Sequence, residues 1–172
     1  ICWGDPTFGA TVVPPSVNGT AGGASAVSAG GFHSCAIQAG SGAVVCWGSH
    51  GNPVPAAVDG SAGTAVAIAA APQSTCAIQA GTRAVVCWGY DNFGQSSPPA
   101  SVGGIGIARA VGGGQNHSCV LRSDVRPGAV LCWGYDFSGQ ATPPASVNGL
   151  DGTASALAVG DNHNCAIRAD SG

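Results

Sequence analysis

The chain has 172 residues, of which 13 (8%) are charged, with a net charge of −3 and 29 glycines. That length is one domain's worth of chain. Typical soluble domains carry about 25% charge, and a charge this low and slightly acidic offers no basic surface for nucleic acid. The longest apolar run, residues 65–71, is too short to span a bilayer, and the absence of methionine leads us to expect a processed or partial polypeptide.

From the first residues onward one tripeptide recurs: Cys2-Trp3-Gly4, Cys46-Trp47-Gly48, Cys87-Trp88-Gly89 and Cys132-Trp133-Gly134, holding all four tryptophans at spacings of 44, 41 and 45 residues. A fixed period of this size means a repeat architecture. We divide the chain into repeats of about 2–45, 46–86, 87–131, and 132–172 plus residue 1, forming one domain over 1–172. Each period opens on a polar turn: 5–9, 49–52, 90–94 and 135–139. A proline-rich piece follows and ends at Val17, Val58, Val102 or Val147. It reads as a poor strand that proline confines to a sheet edge. After a glycine-rich loop come short strands of small residues, expected over 24–29, 65–70, 107–111 and 155–159. Glycines, or Ala70-Ala71-Pro72 in the second repeat, then turn the chain into two further strands. No stretch sustains a helical period; residues 62–71 are ambiguous alone, and their place in the repeat argues strand.

Those two further strands carry the cysteines. Between Cys35 and Cys46, Ala36-Ile37-Gln38 and Ala43-Val44-Val45 flank Ala39-Gly40-Ser41-Gly42, the pattern of a β-hairpin. If Gln38 faces Ala43, Cys35 faces Cys46, and the same register sets Cys76 opposite Cys87 and Cys119 opposite Cys132. Opposed cysteines on antiparallel strands are close enough to bond. Each such closure contributes roughly 3 kcal/mol in the chain-entropy model. Of the 105 pairings open to eight cysteines, repetition therefore favours Cys35–Cys46, Cys76–Cys87 and Cys119–Cys132, leaving Cys2–Cys165. Residues 166–172 read as the first arm and loop of a hairpin whose second arm is Ile1-Cys2-Trp3-Gly4. The two halves meet within one chain or between copies.

The pattern Ala-x-Gly-x-x-His-Ser-Cys-Ala-Ile, then Val-x-Cys-Trp-Gly-x-x-x-x-Gly-Gln, resembles the repeat of the RCC1-type β-propellers. It is most similar to the cysteine-paired form in CRINKLY4-type plant receptor kinase ectodomains. Trp88 to Gln95 and Trp133 to Gln140 match best. Gly9-Ala10 replaces Gly-Gln in the first repeat, and the second has residues 49–52 without Gly-Gln and Gln73-Ser74 at the usual histidine. The resemblance implies an all-β propeller of four repeats, one blade each, each with a disulfide-linked hairpin; the family usually has seven blades.

Regular cysteine pairs point to an oxidising compartment, extracellular or at the cell surface. Zinc is disfavoured because no Cys-x2–4-Cys cluster occurs. Asn18-Gly19-Thr20 and Asn116-His117-Ser118 are N-glycosylation acceptors, and Pro-Pro beside Ser97, Thr142 and Ser16 either rigidifies a connection or carries O-linked sugar. Trp3, Trp47, Trp88 and Trp133 are expected between blades. His33, His117 and His163 are equivalent by repeat, but Ser74 stands in the fourth place, so we read them as structural. Asp91 and Asp136 are expected to cap turn amides, and no nucleophile elbow, P-loop or zincin motif occurs. We therefore expect no enzyme, cofactor or metal site, no nucleic-acid partner and no membrane span. The expected function is an extracellular, disulfide-stapled and glycosylated structural protein that assembles with copies of itself or with other surface components, or forms part of a surface filament or matrix. The alternative is a receptor- or lectin-like module reading a peptide or glycan through its loops, 18–24 and 103–107 among them.

Overall fold

The computed structural model of the chain describes residues 1–49, 53–104, 107–124 and 126–169. Three sheets have three strands each: β1 (Ala24–Ala29), β2 (His33–Gln38) and β3 (Val44–Gly48); β4 (Ala65–Ala70), β5 (Ser74–Gln79) and β6 (Val85–Gly89); β7 (Ala108–Gly113), β8 (His117–Arg122) and β9 (Val130–Gly134). A fourth sheet has two, β10 (Ala154–Val159) and β11 (Asn164–Arg168). All pairings are antiparallel meanders, so each sheet is one propeller blade. The ambiguous stretch around residue 65 is strand β4.

The blades stand side by side in chain order. Inner strands β1, β4, β7 and β10 pack successively against one another. Their ends, with Gly30, Ala71, Gly113 and Asp161, line a central space of about 410 Å³. Small residues are needed there: a Cβ on Gly113 would lie 2.8 Å from the Ala71 Cβ. The Ala70 N–H donates to Ser28 Oγ at 2.9 Å, and the Arg109 guanidinium donates to the Ser155 carbonyl at 2.6 Å, tying neighbouring inner strands together.

The proline-rich piece is not a strand. The Val17, Val58, Val102 and Val147 amides donate to the carbonyls of Pro14, Pro55, Pro99 and Pro144, three residues back. These are turns, and residues Ala100–Gly103 form a single helical turn. Proline presets φ for a turn and withholds the N–H a strand would need. Three of the turns drive Val58, Val102 and Val147 into seams between blades, where Val58 and Val102 are completely buried, and the first packs Val17 on the outer side of the first blade.

Candidate interaction site at the open edge of the fourth blade

In each complete blade the cysteine hairpin has the register expected from its sequence, with Cys35 opposite Cys46, Cys76 opposite Cys87 and Cys119 opposite Cys132. All three pairs are disulfides. The glycine after each tryptophan ends the third strand at close quarters: Gly134 has φ +104°, and a Cβ there would sit 2.6 Å from the Asn116 carbonyl oxygen.

The tryptophan sits one residue from the cysteine, so it projects from the opposite face of its blade. That face meets the preceding blade. Trp88 packs with Cys35, Ile37 and Val44 of the first blade and Val58 of the connection. Trp133 packs with Cys76, Ile78, Val85 and Val102. Each seam is thus built from the hairpin of one blade and the tryptophan of the next. The indole N–H is also satisfied. Trp133 Nε1 donates to the Gln95 carbonyl at 3.0 Å, and that oxygen also accepts from Ser118 Oγ at 3.0 Å. In the first blade the Ala10 carbonyl accepts from Trp47 Nε1 at 2.8 Å and Ser34 Oγ at 3.4 Å.

The fourth blade departs from this pattern. Strands β2, β5 and β8 are buried over five successive residues, whereas β11 is exposed from Cys165 to Arg168. Its seam with the third blade holds Leu121, Val130, Val147 and Ala154 but no tryptophan. In the tryptophan's place is an open cavity of about 480 Å³ lined by Val130, Gln140, Val147, Leu157 and Asn164 among others. The buried Gln140 carbonyl, equivalent to those of Ala10 and Gln95, accepts from Asn164 Nδ2 at 2.7 Å; no indole reaches it among the described residues.

Residues Ile1 to Gly4 form no strand here. Cys2 lies against Val13, Val17, Ala36 and Trp47 on the outer side of the first blade, and Trp3 is 87% exposed, unlike the buried Trp47, Trp88 and Trp133. Cys2 and Cys165 are both free thiols. Of the two closures expected for the fourth blade, within one chain or between copies, the one within a single chain is not made in this structure: the first blade holds Cys2 against its own outer seam, and β11 stays uncovered. The hairpin loop at 170–172 lies outside the described residues.

The histidines join blades. His33 Nε2 bonds Thr75 Oγ1 of the second blade at 2.7 Å, and His117 Nε2 bonds Asn164 Oδ1 of the fourth at 2.9 Å. His163, on the open side, is exposed. Each of the three rings lies over the glycine three residues before it, Gly30, Gly114 or Gly160, where a Cβ would come within 2.3 to 2.8 Å of the ring. In the second blade the histidine is Ser74, and the glycine is Ala71.

The aspartates are turn caps. Asp91 accepts from the Ser96 N–H at 2.7 Å and Ser97 Oγ at 2.5 Å; Asp136 accepts from the Ala141 N–H at 2.7 Å and Thr142 Oγ1 at 2.6 Å. The Thr142 hydroxyl, and after it the Ala141 amide, hold the Asp136 carboxyl below its ordinary range. Asn18 is exposed, its Oδ1 accepting from the Thr20 N–H at 2.8 Å. Asn116 is half-buried and followed by the completely buried His117 and Ser118. Of the loop at 103–107 considered for recognition, residues 105–106 lie outside the described residues, as do residues 50–52 of the second polar turn. An aromatic cluster on the loop face was not anticipated: Tyr135 meets Phe93 edge-on at 4.9 Å and stacks on Phe137 at 6.3 Å. Its sequence signal is the aromatic residues repeated in the turns after Trp-Gly.

No family model and no curated protein matches the chain. Solved structures do. The ectodomain of the Physcomitrella patens receptor kinase CR4 is 23% identical with a TM-score of 0.66, over 87% of this chain and 37% of that one. The CRINKLY WD40 ectodomain of the Arabidopsis thaliana receptor kinase ACR4 is 24% identical with a TM-score of 0.63, over 85% and 46%. Prp20p of Saccharomyces cerevisiae, a protein studied for its binding to Gsp1p and histones, is 17% identical with a TM-score of 0.71, over 98% and 50%. The chain thus spans half or less of the length of these structures. Its fold is that of RCC1-like β-propeller repeats, with the CRINKLY4 ectodomains among its structural neighbours.

Proposed function

We propose that the chain is an extracellular, disulfide-stapled propeller module that acts by assembly rather than catalysis, joining copies of itself or other surface proteins. One observation carries this reading: three sibling sheets each hold a cross-strand disulfide in a chain of which only 8% is charged. Three cross-strand disulfides favour an oxidising compartment, and two of the structural neighbours are receptor kinase ectodomains. A glycan on the exposed Asn18 would supply the solubility that scarce charge does not. Two of the three histidines considered for chemistry, His33 and His117, are engaged in blade-to-blade bonds, and Asp91 and Asp136 in turn caps, which favours a non-enzymatic role.

The test is size-exclusion chromatography with light scattering, alongside electrophoresis with and without reductant. Oligomers that collapse in part on reduction support the reading, and a lone monomer under every condition contradicts it. The aromatic cluster of Phe93, Tyr135 and Phe137 favours a second reading, a receptor- or lectin-like module that stacks a sugar or peptide on its loop face. A glycan array without hits would count against it.

A further inference from the structure

We propose that Phe93, Tyr135 and Phe137, with Asp91 and Asp136 in the same two turns, form a docking surface for a peptide segment that presents arginine or lysine side chains. The proposal rests on the second reading above, recognition on the loop face, and names the chemistry of the ligand. Residue types segregate between the two ends of the blades. Ala29 pairs with Ser34 and His33 with Gly48, so the first strand ends, the second begins and the third ends at one common end. The turns after Trp-Gly are bonded there: the Tyr90 N–H donates to the Gln73 carbonyl and the Tyr135 N–H to the Asn116 carbonyl. This end holds every phenylalanine and tyrosine of the chain, Phe8, Phe32, Tyr90, Phe93, Tyr135 and Phe137, together with Asp5, Asp91, Asp136 and Asp161. The chain has no lysine, and its arginines, Arg83, Arg109, Arg122, Arg126 and Arg168, all lie at the opposite end.

The rings are contiguous and open to solvent. Tyr135 touches both Phe93, in the turn before the third blade, and Phe137, in its own turn. Phe93 is 46% exposed and Phe137 87%. That exposure belongs to the repeat itself. Position 137 corresponds to position 92, and Asn92 is exposed although the complete third blade follows it. Contiguous exposed apolar surface rimmed by polar residues marks an interaction site.

Charge selects a cationic partner. The face of an aromatic ring attracts a guanidinium or ammonium group, and a guanidinium also stacks flat on it. Asp91 and Asp136 add full negative charge beside the rings, and no arginine lies at this end; the Arg122–Asp124 ion pair sits at the other. The Thr142 hydroxyl and then the Ala141 amide hold the Asp136 carboxyl below its ordinary range, so it is ionised at neutral pH. The same bonds argue against a sugar, which is oriented by hydrogen-bonding groups left free beside the ring. Both oxygens of Asp91 and both of Asp136 already accept bonds within their turns, and Asn92 Nδ2 donates to the Tyr90 hydroxyl at 2.6 Å. Those bonds leave the negative charge in place.

The test follows amide shifts of the ¹⁵N-labelled chain by NMR, its internal disulfides intact, during titration with a capped peptide of alternating glycine and arginine. The comparison ligands are the same peptide with citrulline for arginine, which keeps the shape and removes the charge, and cellohexaose. The arginine peptide should move the amides of residues 90–94 and 135–139. The citrulline peptide should bind at least about tenfold more weakly. Binding of the arginine peptide should fall about three- to fivefold in Phe137→Ala, and Phe137→Trp should restore it. Equal binding of the citrulline peptide overturns the proposal, as does arginine-peptide binding that Phe137→Ala leaves unchanged. Cellohexaose moving these amides where the arginine peptide does not also overturns it, while leaving recognition on the loop face standing. If no ligand moves them, both fall.

Discussion

At the residue scale, close approaches decide identity. A histidine ring over the glycine three residues earlier leaves no space for a methyl group, and the one blade with Ser74 in place of histidine carries Ala71 in place of glycine. Gly114→Ala would put a Cβ 2.3 Å from the His117 ring and 2.6 Å from the Gly160 carbonyl oxygen. Overpacking of this kind costs about 1–3 kcal/mol, which denaturant unfolding would register; an unchanged midpoint would mean that the blades shift apart freely. The Asp136 cap predicts a pH dependence. The Thr142 hydroxyl and the Ala141 amide lower the folded-state value of this carboxyl. Its contribution is therefore full above the unfolded value of roughly 3.9 and is lost as pH falls through the folded one. Thermal unfolding should find Asp136→Asn less stable than the parent near neutral pH, with the gap shrinking below about pH 4. A gap independent of pH would contradict the charged cap.

At the scale of elements, the tryptophans separate into two classes by position alone. Trp133 is buried between blades, whereas Trp3 is 87% exposed in the same motif. Trp133→Ala should cost about 3–5 kcal/mol, and Trp3→Ala in monomeric protein less than about 0.5 kcal/mol. Equal costs in urea unfolding would mean that Trp3 is packed as Trp133 is. This contrast also marks what the sequence makes legible. Cysteines opposed across short Gly/Ser loops fix the hairpin register, and the repeat carries that register from blade to blade. The direction in which each tryptophan faces is not in the spacing, because strand alternation gives a side of the sheet but not which neighbour lies there. The proline-rich turns look like strand in the sequence for a related reason. An apolar valine after Ser or Ala looks like a strand end, and only the amide bonded three residues back identifies a turn. The open cavity beside Gln140 had no local signature: it arises because the tryptophan that fills such a place belongs to the next Cys-Trp-Gly.

For the whole molecule, four blades in series expose two unlike ends, the outer seam of the first blade and the uncovered edge of the fourth. Hydrogen exchange in a Cys2→Ser/Cys165→Ser variant, held monomeric at low concentration with its three internal disulfides intact, tests this most directly. The account predicts strong amide protection along β2, β5 and β8 and rapid exchange of those β11 amides not bonded to β10. Protection of β11 equal to that of its three siblings would contradict it, because the chain would then be completing its own last blade.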